Sequence, residues 1–424
     1  MTSSPDIKPA RFSEDHKLCL GYYVTHPIQY QAPMLRRIAQ EPDIDLRVFF
    51  SSNISVRKQG YDDQDFKVNI KWDTPLLDGY KYEFLPAVRN SNEIAFTKPI
   101  NYGIRSRFKK QRIDALWVHG YSNLSNLQAM FAAKSLRIPV FLRSDSTLYD
   151  HRRCGMKLAA KNLIFKILRS KVSGALSVGE ANTAYWLKYF GDDFPIFPCK
   201  YAVDNAFFQQ QCRAAAGTRK EFRQSLGLEA GRTVILFAAK LIERKRCIDL
   251  LRAFMQISTA GELLPCPYLL IVGDGEERRA LETQAGAAIG KDVRFLGFRN
   301  QSELPEFYDL CDVFVLPSVN EPWGLAINEA MNAGRAMIVS DQVGCQRDLV
   351  HPGVNGCVVG AGDVKALAAS LRLLLSEETM RHAMGVESLR IIQGFTFEQN
   401  VAGLRQALQA FVPGFSAAPY DSVS

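Results

Sequence analysis

The feature that most restricts how this chain can fold is a rhythm of short apolar runs, each followed by a turn and then a stretch of helical period. In the second half the runs are Val234–Ala238, Tyr268–Val272, Val293–Leu296, Val313–Leu316 and Ala336–Val339. Helical segments fall among and after them, at Ile248–Ile257, Glu276–Ala288, Leu304–Leu310 and Val364–Leu375. Strands buried on both faces read as continuous apolar runs, and their alternation with helices specifies a parallel sheet covered on both sides. The first half repeats the rhythm more loosely, with strands expected at Leu18–Val24, Ile44–Phe50, Ala115–Val118, Pro139–Leu142, Gly174–Val178 and Phe197–Val203. The expected fold is therefore α/β: two Rossmann-like doubly wound domains facing a cleft.

The polar, small-residue stretch Gln209–Thr218 reads as the linker between them, dividing the chain into 1–204 and 205–394. The segment 53–100 shows no clear period and reads as loops with short elements near the cleft. The amphipathic segment 397–412 is a final helix that packs back on the first domain. The polar leader 1–16 holds no apolar core of signal-peptide length, and no run approaches the ~20 residues that span a bilayer. These features suit a soluble, cytoplasmic protein. Nine scattered cysteines, with no CxxC and no zinc spacing, read as reduced structural thiols. A net charge of +8 over 424 residues is modest, and no nucleic-acid-binding signature accompanies it, so nucleic acid is not an expected partner.

Candidate chemistry gathers where strands end, which is where open α/β sheets bind ligands. After Val313–Leu316, Glu321 and Glu329 are separated by seven residues across a strand-to-helix turn that contains Pro322 and Gly324. A glycine there lets backbone approach a ligand, and a helix start attracts an anion. Read alone, the two acids fit either a polar site or an exposed loop and helix. Lys240 and Lys245 follow another strand and carry charge suited to a diphosphate, or simply to a solvated loop. Gly273-Asp274-Gly275 forms a third turn. It is not GxGxxG, so no dinucleotide cofactor is expected. In the first half, His119 ends a strand, His26 lies with Gln29 and Tyr30 in the first strand-to-helix turn, and Arg143 and Asp145 follow a third strand.

Together, Glu321-Pro322-Trp323-Gly324-Leu325 with Glu329-Ala330-Met331, Lys240 and Lys245, Gly273-Asp274-Gly275, Val293–Gly297 and Asn355-Gly356 resemble family 4 of the retaining glycosyltransferases, of the two-Rossmann-domain GT-B type. The resemblance covers roughly residues 195–412. It implies that 205–394 binds a nucleotide-sugar and that 1–204 forms the acceptor side. It assigns Lys245, with Lys240 in place of the family's arginine, to the diphosphate, and Glu329 to the ribose. Glu321 goes to the transferred sugar, and the Gly324–Leu325 backbone to the diphosphate and sugar. The Gly273–Gly275 turn is part of the donor site. His119, Glu321 and Lys245 become the expected catalytic groups, and His26, Gln29, Tyr30, Arg143 and Asp145 acceptor-side groups. Asp348 replaces the family's usual glutamate and is read as positioning a loop. No metal-binding carboxylate pair lies in a suitable turn, so no cofactor and no obligatory metal are expected.

The implied function is retaining, hexosyl-type transfer from a nucleotide-diphosphate sugar to a glycan or lipid-linked acceptor, in cell-surface polysaccharide or glycoconjugate synthesis. The alternatives are a sugar-nucleotide epimerase of the same architecture and a non-catalytic sugar-nucleotide-binding protein. One further stretch stands apart. Residues 151–171 carry seven lysines and arginines and no acid, interleaved with Leu158, Leu163, Ile164, Ile167 and Leu168. This pattern suits either a core helix with a solvated face or a peripheral contact with an anionic membrane at its inner surface.

Overall fold

The computed structural model describes residue 12 and residues 16–57, 60–63, 68–89, 93–149, 155–261 and 263–416. Nearly all of the leader lies outside these residues, as do His151, Arg152 and Arg153 of the basic stretch. The first domain contains β1 (Leu18–Val24), β2 (Ile44–Phe50), a hairpin of β3 (Tyr61–Asp63) and β4 (Val68–Ile70), and β5 (Lys81–Phe84). It continues with the paired β6 (Ala87–Arg89) and β7 (Ile100–Asn101), then β8 (Ala115–His119), β9 (Val140–Arg143), β10 (Gly174–Ser177) and β11 (Ile196–Pro198). The second contains β12 (Val234–Ala238), β13 (Tyr268–Val272), β14 (Val293–Gly297), β15 (Val313–Leu316), β16 (Ala336–Ser340) and β17 (Gly356–Val359).

Two parallel sheets result. The first runs β11-β10-β9-β8-β1-β2-β5 and the second β14-β13-β12-β15-β16-β17. In both, the first strand of the sheet sits inside and the strand order reverses beside it, between β1 and β8 and between β12 and β15. At such a reversal the helices leave to opposite faces, and a crevice opens beyond the carboxyl ends. The strands are apolar throughout because helices cover both faces: β12, β13, β15 and β16 are buried at every residue. In β1 the faces alternate. Leu18, Leu20, Tyr22 and Val24 join one core, and Tyr23 joins another.

The segment Gln209–Thr218 is not a linker. It lies inside one helix, Asn205–Ser225, whose first turn is capped by Asp204 accepting from the Phe207 N–H at 2.9 Å. Its Gln, Ala, Arg and Lys residues are good helix formers, and Phe208 and Cys212 bury a narrow stripe against the second domain. Polarity without a broad apolar face gave this stretch the look of a linker. The chain crosses between domains just before it, over 199–204. The helix Glu378–Ile392 and strand β17 lack a clear sequence period and were not expected.

The helix Phe397–Phe411 returns to the first domain, where Val401, Leu404, Ala407 and Leu408 enter its core. Gly403 permits the approach, since a Cβ there would lie 1.8 Å from the Pro198 carbonyl oxygen. Arg405, itself buried, donates to Glu41 at 2.7 Å and to both Asp43 oxygens at 2.8 and 2.6 Å. Replacing Arg405 with alanine strips the buried Asp43 of the cation on both its oxygens, while Glu41 keeps Arg37 at 2.6 Å. Arg405→Ala is expected to cost about 3–5 kcal/mol, read as a lower urea midpoint. An unchanged midpoint would show that the helix is held without this cluster.

Candidate active site

Because β12 and β15 flank the strand-order reversal, the loops that follow them are neighbours. Lys245, in the short 3₁₀ turn after β12, meets Glu321, in the loop after β15, in a close ion pair. Arg244 Nη1 stands 3.4 Å from the same carboxylate. Burial lowers the Lys245 pKa, while Glu321 pulls it the other way. The Glu321 loop is fixed from behind: its N–H donates to Gln342 O at 3.1 Å, and Gly344 N–H donates to Glu321 O at 2.9 Å. Gly344 is required there, since a Cβ would lie 1.9 Å from the Pro322 oxygen. Gly324, at φ 98°, then starts the helix Leu325–Asn332. Its first N–H groups have no intrahelical acceptors and face the direction an anion prefers.

The Gly273 turn packs directly on the lysine loop, where a Cβ on Gly273 would lie 1.9 Å from the Ala239 oxygen. Asp274 accepts from Arg278 Nη1 at 2.6 Å and from its neighbour Gly275 N–H at 2.9 Å, so it shapes the turn. Beside these loops lies a cavity of about 140 Å³ walled by Ala239, Gly273, Arg299, Tyr308, Ala326 and Glu329, among others. Glu329 accepts from the Tyr308 hydroxyl at 2.6 Å, and burial raises its pKa to about 7. Arg299 and Tyr308 were missed from the sequence. Arg299 follows a strand end and was findable by position; Tyr308, inside a helix, had no signal.

The first domain presents its own reversal opposite. His26 lies in the loop after β1 and His119 is the last residue of β8, close enough that His26 acts electrostatically on His119. Both are half-buried and recessed. Burial, with Arg143 and His26 nearby, lowers the His119 pKa to about 3, and burial lowers His26 to about 4 against the opposing pull of Asp63. Both rings are neutral at physiological pH. His119 Nδ1 is buried without a protein partner, whereas His26 Nδ1 lies 2.9 Å from Thr25 Oγ1. Tyr30 packs edge-on to Tyr201, and Tyr201 to Trp323, with Asp145 close to both tyrosines. Arg143 is placed differently from its acceptor-side expectation. It is buried, donates to Asn400 at 2.9 Å, and stacks 4.6 Å from the Tyr201 ring centre, so it braces the cleft floor against the C-terminal helix.

Contacts cross the cleft. Lys240 Nζ lies 3.0 Å from Asp63 of the β3–β4 hairpin. Gln29 Nε2 donates to Gln301 at 3.1 Å, Asn300 Nδ2 to the Lys71 carbonyl at 3.3 Å, and Ser302 N–H to Asp73 at 3.2 Å. Asp63, which no sequence pattern marked, thus occupies a lysine assigned to the diphosphate. Asp348 also bridges the domains, accepting the Glu180 N–H at 3.0 Å at the start of a first-domain helix. Among the described residues no group of three or more His, Cys, Asp or Glu side chains is placed to hold a metal ion.

The fold and the paired reversal sites define a two-Rossmann-domain, GT-B-type protein. Residues 218–388 match the family "Glycosyl transferases group 1". An uncharacterised glycosyltransferase of Methanocaldococcus jannaschii is 35% identical over 159 residues, 37% of this chain and 39% of that protein. The phosphatidyl-myo-inositol mannosyltransferase of Mycobacterium leprae is 26% identical over 70% of this chain and 74% of its own. The chain spans less than half the length of the first curated relatives it matches. Among solved structures, Anabaena HepE in complex with UDP superposes with a TM-score of 0.69 at 16% identity, over 93% of this chain and all of that one.

The raised Glu329 pKa has a sign. The fold holds that proton more tightly than the unfolded chain, whose carboxyl titrates near 4.5. Stability from this group is present at low pH and is lost as pH rises from about 4.5 to about 7. Across that window the wild type should lose stability relative to Glu329→Gln, measured by urea denaturation, and the two curves should run parallel above it. Curves parallel throughout would contradict the buried carboxyl.

Proposed function

We propose that the protein is a retaining glycosyltransferase that moves a sugar, of hexosyl type, from a nucleotide-diphosphate sugar to a glycan or lipid-linked acceptor. The observation that carries this reading is the single row formed by the Glu329 cavity, the Gly324 helix start and the Lys245–Glu321 pair. In that row Glu329 accepts hydrogen bonds from ribose hydroxyls. The helix N-terminus, Lys245 and Lys240 surround the diphosphate, and Glu321 faces hydroxyls of the transferred sugar. The matches to group 1 glycosyl transferases support it, and the neighbour solved with UDP-glucose has the same fold.

The chemical demand is to stabilise negative charge on the leaving diphosphate as its bond to the anomeric carbon breaks. Preorganised lysines and a helix dipole meet that demand at the moment charge develops. Among the described residues no carboxylate is placed as an assured nucleophile, so the favoured course is attack of the acceptor hydroxyl on the face the diphosphate leaves, its proton passing to the departing diphosphate oxygen. Neutral His119, with Nδ1 unpartnered, hydrogen-bonds the transferred sugar without adding charge. At about 140 Å³ the cavity is smaller than the ~300 Å³ lower bound for ligand pockets. Donor entry therefore requires the 298–302 loop and the first-domain hairpin to part, with the diphosphate displacing Asp63 from Lys240.

Thermal-shift measurement against nucleoside diphosphates and nucleotide-sugars is expected to show stabilisation by at least one of them; none would sink the donor site. Lys245→Ala and Glu329→Ala should each lower kcat/KM about 10²–10³-fold with the fold intact. His119→Ala should reduce kcat more than donor affinity, and near-normal turnover in any of the three would refute its role. Consumption of nucleotide-sugar without an acceptor would point to epimerisation instead.

A further inference from the structure

The helix Met156–Arg169 has two apolar faces where a surface helix needs one. Phe165 and Leu168 are buried in the first-domain core. On the opposite side Met156, Leu163, Ile164 and Ile167 are 89%, 60%, 51% and 45% exposed. Their spacing of seven, eight and eleven residues from Met156 sets them on one face, in a stripe about 16 Å long. Nothing among the described residues covers it. Phe131, 45% exposed on the preceding helix, extends the patch, with Lys171 Nζ 5.2 Å from its ring.

Charge decides what such a stripe meets. From 155 to 171 the chain has no acidic residue. Lys166 and Lys171 flank the stripe. Arg169 is answered by Asp193 at 2.6 Å, and Lys161 lies 4.4 Å from the Tyr189 ring on the core side, so neither is counted. An apolar ridge edged by unneutralised lysines matches an anionic lipid surface, which takes the side chains into its acyl boundary and the ammonium groups at its headgroups. A second copy of the same face would set lysine against lysine.

We propose that this face docks the protein on an anionic membrane, with the outer side of Met156–Arg169 inserted at the interface. The docking stands independently of the transfer reaction. Its consequence for the acceptor rests on that reaction. In a parallel sheet the chain after β9 leaves at the carboxyl end, the side on which the cleft lies, and the helix Met156–Arg169 follows it. The membrane would then run beside the cleft mouth, and the acceptor it delivers would be lipid-linked.

The test is co-sedimentation of the full chain with phosphatidylcholine vesicles, with and without phosphatidylglycerol, at low and high salt. Binding is expected only to the anionic vesicles and should weaken with salt. Leu163→Glu/Ile167→Glu and Lys166→Glu/Lys171→Glu should each weaken it at least about tenfold, with unchanged melting temperature. No wild-type binding, equal binding by both variants, or a solution dimer that Leu163→Glu/Ile167→Glu dissolves would overturn the proposal. The vesicle assay needs no donor, and the nucleotide thermal shift needs no vesicle, so the docking and the transferase reading fail separately.

Discussion

The reversal of strand order beside β1 and beside β12 is the constraint on which the site depends. Every strand in both sheets is parallel, so all loops that follow strands emerge on one side of each sheet. Only at the reversal do adjacent loops diverge and leave room for a ligand. That is why Lys245 and Glu321, 76 residues apart, form an ion pair. It is also why His26 and His119, at the ends of adjacent strands, lie near each other.

The cleft is held by few, mixed contacts. Tyr30, Tyr201 and Trp323 form an aromatic row from the first domain through the crossing segment to the second. Asp348 caps a helix of the opposite domain, and Asp63 reaches Lys240. Polar, water-accessible contacts of this kind suit domains that part and close again, because each can be exchanged for water or ligand at little net cost. The C-terminal helix works differently. Its burial in the first-domain core, with Arg405 between two carboxylates, ties the end of the chain to its beginning.

Much of the second domain was legible because its strands are short, apolar and followed by helices with one clear face. The first domain was legible only in rhythm. Two readings changed in the structure for one physical reason, because polarity fixes neither conformation nor exposure. Gln209–Thr218 looked like a linker, yet its residues favour helix and need only Phe208 and Cys212 to dock. Arg143 read as an acceptor-side group at a strand end, yet it is buried, on Asn400 and the Tyr201 ring.

The sequence alone determined the type of most second-domain elements, the strand-end position of each candidate group, and the Glu321–Glu329 spacing across a strand-to-helix turn. These are local properties, fixed by apolar period, glycine placement and turn chemistry over a few residues. Tertiary structure alone decided which strand ends are adjacent. It paired Lys245 with Glu321, and it set Tyr308 and Arg299 around Glu329. It also buried Glu329 deeply enough to lift its pKa, and it carried Asp63 across the cleft to Lys240. Such pairings depend on strand order and domain closure, which no local pattern encodes, because residues far apart in the chain come together only when both sheets are complete.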